Sequence, residues 1–307
     1  MKPQISFSYA KSCAIMLLAT PKVVVEELIH GRVGSTYKIT SGSGEYILQF
    51  FSKENESQAD KKEYVYNHTS FLIKNLVPRV LLSGIYKEHR YLLMEYLAGM
   101  PMFALVQKPD TITPHIKYEI AKTLELIHSW GNSTTFGWID GTHVRQPYKS
   151  IYDYFCSELR RIDSMLSENN DEPAKELLLK LSTHPHLDSL VAQQSCLCWY
   201  DIQPGNVLVK KTGDHYSLSG LLDPGAARFG VPEWDIAHTE LHLLKTNIRD
   251  NSLRKFYTSQ PLNPDTIEIF KLLIILDDLS IGIERGWDDV VIEARRRVAK
   301  QIQIYKY

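Results

Sequence analysis

The sequence predicts an α+β protein of two lobes. A small antiparallel β lobe covers residues 1–96, and a larger, mainly helical lobe covers residues 97–307. Two observations lead there. Up to Tyr96 the apolar residues fall in short β-branched and aromatic runs broken by Gly and Ser; beyond Gly99-Met100-Pro101 they recur at helical spacing over long segments. A third observation breaks the helical half. In Trp199–Val209, Asp201 and Asn206 lead into a β-prone run, and the apolar pair Leu221-Leu222 ends in Asp223.

The elements follow in order. The apolar run Cys13–Ala19 reads as an amphipathic first helix, since no cleavage signature accompanies it. Val23–Leu28 is a strand, which Gly31, Gly34 and Ser35 interrupt and Tyr37–Thr40 resumes. Ser41-Gly42-Ser43-Gly44 turns the chain into the strand Glu45–Phe51. A helix is predicted over 60–74, with Tyr64, His68, Phe71 and Leu72 at helical spacing, then strands over Val77–Leu81 and Tyr91–Tyr96. Helices are predicted over 116–129, 151–166 and 171–181, and again from Trp234 through Lys300.

Composition narrows the function classes. With 35 Lys+Arg against 36 Asp+Glu, no global field gathers nucleic acid. No run approaches the roughly 20 apolar residues that span a bilayer, so a cytoplasmic protein with neither a membrane nor a nucleic-acid partner is expected. Four Cys in 307 residues make no disulfide framework. Cys196 and Cys198 share one face of a strand and read as small buried apolar side chains, and His184-Pro185-His186 reads as a turn.

The chemistry lies in the broken stretch. Asp201 can orient a substrate hydroxyl and accept its proton; Asn206 and Asp223 offer hard oxygen ligands suited to Mg²⁺. These residues, in this order and spacing, resemble the aminoglycoside-phosphotransferase and choline-kinase branch of the protein-kinase-like fold. The nearest echo is the hygromycin B phosphotransferase subfamily. It rests on Tyr46-Ile47-Leu48, Lys62–His68, Phe136-Gly137-Trp138, Leu276–Leu279 and Trp287-Asp288-Asp289.

The resemblance implies a bilobal kinase-like fold that moves the γ-phosphoryl of ATP or GTP to a hydroxyl of a small molecule, cationic acceptors included, with Mg²⁺ as cofactor. An aminoglycoside-type antibiotic is the first acceptor to consider. It implies Asp201 as the catalytic residue, Asn206 and Asp223 as metal ligands, and Asp235 as a brace on the catalytic loop. It places the turn Gly31–Ser35 (Gly31, Gly34, Ser35) over the nucleotide, although two glycines between strands also make a plain hairpin. Met94–Leu97, including Glu95 and Leu97, becomes the adenine-pairing hinge. Gln49 stands where the family most often has a phosphate-binding Lys, and Glu63 matches its helix partner. Other departures are Trp199-Tyr200 before the catalytic Asp, Gln203 after it, and Pro224 after the metal Asp. A kinase for choline, an amino alcohol or a sugar, and a catalytically inactive kinase-like binding module, are the alternatives. A monomer and a homodimer are both compatible with the sequence.

Overall fold

The computed structural model describes residues 5–28, 34–106, 113–130, 134–141, 143–190, 194–243 and 253–304. Five antiparallel strands form the N-terminal sheet: β1 (Val23–Leu28), β2 (Ser35–Ser41), β3 (Gly44–Phe51), β4 (Val80–Tyr86) and β5 (His89–Glu95), in the order β1-β2-β3-β5-β4. Consecutive side chains on a strand point to opposite faces, and β3 uses both. Leu48 and Phe50 pack with Ala10, Cys13 and Ala14 of α1 (Phe7–Leu18). Phe51 packs on the opposite side with Ala59, Val65 and Tyr66 of α2 (Glu56–Thr69). The sheet is therefore buried on both faces, one core being its own and the other continuous with the rest of the chain.

The first helix begins earlier than its apolar run, because Ser6 caps it by accepting the Tyr9 N–H at 3.2 Å. α2 is shifted toward the N-terminus relative to the predicted 60–74. Phe71 lies past its end and is 78% exposed, not on its buried face. β4 starts at Val80 instead of Val77, beyond Pro78, which has no N–H to give a ladder.

The C-terminal part is helical around two small sheets. Its helices are α3 (Phe103–Val106), α4 (Pro114–His128), α5 (Ile151–Glu168), α6 (Glu172–Ser182), α7 (Pro232–Leu243), α8 (Pro264–Arg285) and α9 (Asp288–Ile304). One sheet orders β11 (His215–Leu221), β10 (Val207–Thr212) and β6 (Met100–Pro101); the other orders β8 (His143–Tyr148), β7 (Phe136–Asp140), β12 (Arg228–Gly230) and β9 (Cys196–Cys198). The β7–β8 hairpin interrupts what the sequence suggested was a run of helices. α8 is the central post: Asn263 caps it, Pro264 opens it, Gly286 closes it in the left-handed conformation, and its apolar residues are buried nearly all round. No helix among the described residues is long and apolar enough to cross a membrane.

Candidate active site

Two short loops bring the predicted carboxylates together. One runs from the end of β9 to β10 and carries Asp201 and Asn206; the other follows β11 and carries Asp223. The Leu222 N–H donates to the Asn206 carbonyl at 2.8 Å, which fixes the second loop beside the first. Within the first, Asn206 Nδ2 donates to the Asp201 carbonyl at 3.0 Å and to Asp201 Oδ2 at 2.8 Å. Those bonds commit the Asn206 amide nitrogen and leave its oxygen as the atom able to ligate a cation. Gln203 Nε2, in place of the family's usual His, also donates to Asp201 Oδ2 at 3.3 Å.

The loop is held from below by Asp235 on α7, which is fully buried. Its carboxylate accepts the Trp199 N–H at 2.7 Å, the Tyr200 N–H, and His128 Nε2 at 3.0 Å. This is the bracing geometry the resemblance implied. It also holds Tyr200 at φ 69° and Asp223 stands at φ 57°, both in the left-handed region that bulky residues rarely adopt. Such strain persists only where the surroundings over-determine it, and it gathers at functional sites. The surroundings of Tyr200 do so. Its ring stacks at 3.5 Å on the Arg228 guanidinium, whose centre lies 3.8 Å from the Trp138 ring. Its hydroxyl donates to Asp277 Oδ2 at 3.0 Å. The bulk that replaces the family's Gly is thus directed into the helical core.

Burial raises the Asp201 carboxyl to about 6, and the nearby Asp223 charge adds to the rise; His242 and the bonds from Gln203 and Asn206 oppose it. The folded state therefore binds this proton more tightly than the unfolded chain. Stability from this group is full below about pH 4 and is lost as pH rises through 6. In metal-free buffer, Asp201→Asn is expected to stabilise the protein by about 1–2 kcal/mol at pH 7 and by nothing at pH 4. Thermal melts of both proteins across that range check it; equal melting temperatures at pH 7 would contradict it.

The region predicted to face the nucleotide divides. Gly31 lies outside the described residues. Gly34 is buried beneath β3: a Cβ there would stand 2.9 Å from the Phe50 carbonyl oxygen and 3.1 Å from Gln49 Nε2, so only Gly fits. Ser35 opens β2 and is buried opposite Phe50. Gln49 faces Thr36 across the ladder and donates to its hydroxyl at 3.3 Å. Glu95 ends β5, with its side chain ion-paired to Arg79, and Leu97 packs toward β11 at Gly220.

Glu63 corrects the sequence reading. It does not face Gln49. It accepts from Ser83 at 2.7 Å and pairs with Arg90 at 2.7 Å, on the β4–β5 side of α2. The helix residue that faces Gln49 is Lys62, which sequence reasoning passed over. Its Nζ lies 3.4 Å from Gln49 Oε1 and 2.9 Å from Asp223 Oδ1, with the side chain only 4% exposed.

Whether the residues fit a divalent cation is decided by their donor set. Asp223 and Asn206 supply hard oxygens, and the unfavourable charge that Asp201 feels from Asp223 is the kind a bound cation relieves. They fit. His128, Cys196 and Cys198 also cluster, their ligand atoms within 4.8 Å of one another. Both imidazole nitrogens there are already engaged, by Asp235 and by the Tyr257 hydroxyl at 2.9 Å. The cluster is packing, as the sequence suggested for the two thiols.

Acidic residues are dense between 265 and 293, and several are paired. Asp277 pairs with Arg161, Asp278 with His242 and Arg297, Glu268 with Arg254 and Lys271, and Glu293 with Arg296 and Arg297. Asp277 is buried, whereas the Glu268 side chain is 56% exposed, so the pairing offsets part of the charge of this segment.

Residues 24–255 match the model of the phosphotransferase enzyme family (APH). The chain belongs to this family. No curated protein matches it by sequence. Among solved structures it is similar to aminoglycoside phosphotransferase APH(4)-Ia, at 19% identity and TM-score 0.73, over 95% of this chain and 98% of that one. A thermostable mutant of that protein, in a ternary complex with AMP-PNP and hygromycin B, matches at the same identity and TM-score over 94% and 97%. A chain from Haemophilus somnus 129PT assigned as a fructosamine-3-kinase matches at 14% identity and TM-score 0.64, over 94% and 95%. The phosphotransferase fold expected from the motifs is therefore the fold of this chain.

Proposed function

We propose that this phosphotransferase moves the γ-phosphoryl group of ATP or GTP to a hydroxyl of a small molecule, with an aminoglycoside-type acceptor as the first candidate. The observation that carries the proposal is the joint placement of Asp201, Asn206 and Asp223 on two loops, the first braced by Asp235 and the second joined to it by the Leu222–Asn206 bond. In this reading Asp201 positions the acceptor hydroxyl and takes its proton, and its raised carboxyl is poised to do so near neutral pH. Asn206 and Asp223 hold Mg²⁺, which when bound offsets charge on the β- and γ-phosphates. The hinge after Glu95 supplies backbone groups to the nucleotide base. The two lobes meet at residue 96.

The acceptor class is supported by the ligand of a similar structure, the ternary complex with AMP-PNP and hygromycin B. A second reading is a kinase for an amino sugar or another metabolite. It is favoured by the pairing of Asp277, Asp278 and Glu268 with basic side chains, which lowers the negative charge available to attract a polycation. Against the inactive alternative stand the placement of Tyr200 in the core and the buried Lys beside Gln49.

Calorimetry with ATP and GTP, each with and without Mg²⁺, tests the proposal. Mg²⁺-dependent binding of one of them is expected. Asp223→Ala should remove the Mg²⁺ dependence and weaken nucleotide binding about tenfold or more. Unchanged affinity in Mg²⁺ would contradict the metal assignment, and no binding by the unaltered protein at millimolar nucleotide would contradict the activity. A phosphoryl-transfer screen of aminoglycosides against amino sugars then separates the two acceptor readings.

A further inference from the structure

We infer that Lys62 supplies from α2 the phosphate-binding positive charge that β3 lacks at Gln49. The inference rests on the nucleotide site proposed above and deepens it. A cation is wanted beside the nucleotide phosphates because a neutral amide can donate a hydrogen bond but contributes no charge. Gln49 is such an amide, and the direction of its two polar ends is fixed. Its Nε2 donates to Thr36 Oγ1 at 3.3 Å, which turns Oε1 toward α2.

What meets that oxygen is Lys62 Nζ at 3.4 Å. The same ammonium lies 2.9 Å from Asp223 Oδ1 and over the Phe51 ring at 5.3 Å. An ammonium has three donors and no acceptor. The Gln49 and Asp223 oxygens fix its position without consuming it, and Gln49 is oriented so that it can only accept from it. The arrangement is a strand–helix pair with the cation moved to the helix: a neutral acceptor on β3 and a lysine on α2.

The placement is specific. Lys62 is buried to 4% exposure, and burying an ammonium is costly unless it has a partner of opposite charge. Its carboxylate partner is the residue assigned to the metal, at the phosphate end of the site. Gly225 keeps the space around that pair open, since a Cβ there would sit 2.9 Å from Asp223 Oδ1 and 3.4 Å from Lys62 Cε. Its neighbour Lys61 is different. Nζ of Lys61 donates to the Gly225 carbonyl at 3.1 Å and lies over Trp138, on another side of the helix. In the nucleotide-free protein Lys62 neutralises Asp223. Were a metal–nucleotide complex bound, Asp223 would serve as a ligand to the metal, and the Lys62 ammonium, still held by Gln49 Oε1, would be free to direct its donors to phosphate oxygen.

The test compares nucleotide with nucleoside. Calorimetry in Mg²⁺ measures adenosine, ADP and ATP (or the guanosine series, if GTP is the ligand bound) for the unaltered protein, Lys62→Gln, and the double variant Gln49→Lys/Lys62→Gln. Loss of one charge-assisted phosphate contact is expected to weaken ADP and ATP binding by Lys62→Gln about 10- to 100-fold while adenosine binding stays within about threefold. The double variant, with one cation restored to the strand, is expected to recover phosphate affinity to within about threefold of the unaltered protein. Unchanged ADP and ATP affinity in Lys62→Gln overturns the assignment and leaves the nucleotide site standing. Should Lys62→Gln not fold, the double variant decides alone. Affinity like that of the unaltered protein supports a single relocated charge, whereas a gain of tenfold or more means the native site had lacked one and overturns it. If the unaltered protein binds no nucleotide at all, the reading of the site fails, and this assignment with it.

Discussion

Asp201→Ala is expected to lower phosphoryl transfer about 10²- to 10⁴-fold while nucleotide affinity stays within about threefold. The side chain it removes is the acceptor-orienting group and proton acceptor, and no nucleotide contact is assigned to it. The same change removes a carboxylate that burial and Asp223 disfavour in its ionised form, so the variant should also melt higher than the unaltered protein at neutral pH. Lower turnover together with higher stability is a combination that a merely damaged protein does not give. Steady-state rates with an acceptor found by screening, nucleotide calorimetry and a melt form the three-way measurement. Turnover within tenfold of the unaltered enzyme would remove Asp201 from the mechanism.

Asp235→Ala is expected to cost about 3–5 kcal/mol and lower the melting temperature on the order of 10 °C. Three donors lose their acceptor at once: the Trp199 and Tyr200 N–H groups and His128 Nε2, all buried. Burial opposes a charge on His128, yet Cys196, Asp235 and Glu233 together carry its pKa above the ordinary imidazole value. A histidine raised in this way contributes stability that is present below about pH 6.5 and is lost as pH rises through its folded value. The penalty of Asp235→Ala should accordingly be greater at pH 6 than at pH 9. Denaturant melts at the two pH values check both statements. A variant that melts within two degrees of the unaltered protein would show that the loop holds its strained Tyr200 without the brace.

Much of the candidate site was legible in the sequence because it is built from short-range spacing. Asp201 and Asn206 lie in one loop, so their bond follows from a local turn, and Asp223 is placed by the hairpin β10–β11 that begins where that loop ends. Asp235 was reached only through the family resemblance, since its bonds to Trp199 and Tyr200 join segments far apart in sequence. Element boundaries were less so. Phe71 continued a helical pattern in sequence although α2 had already ended, because apolar spacing carries no mark of where tertiary packing stops.

The sequence alone determined the fold class, a strand-rich N-terminal part followed by a helical one, since the switch from period two to period 3.6 is a property of the chain itself. It also singled out Asp201, Asn206 and Asp223, which the fold brings together on two adjoining loops. Only the tertiary structure decided which neighbour on α2 faces Gln49. Lys62 and Glu63 are adjacent, about 100° apart around the helix, and the choice between a cation and an anion depends on how α2 is rotated over the sheet. It decided equally that the bulky Tyr200 enters the core, because the ring finds Arg228 and Asp277 from distant segments. The partners of Asp277, Asp278 and Glu268 were decided in the same way, by arginines, a lysine and a histidine that α5, α7, α8 itself, α9 and residue 254 bring to them. Charge in a sequence is counted residue by residue, but the field at a site depends on pairings that only folding makes.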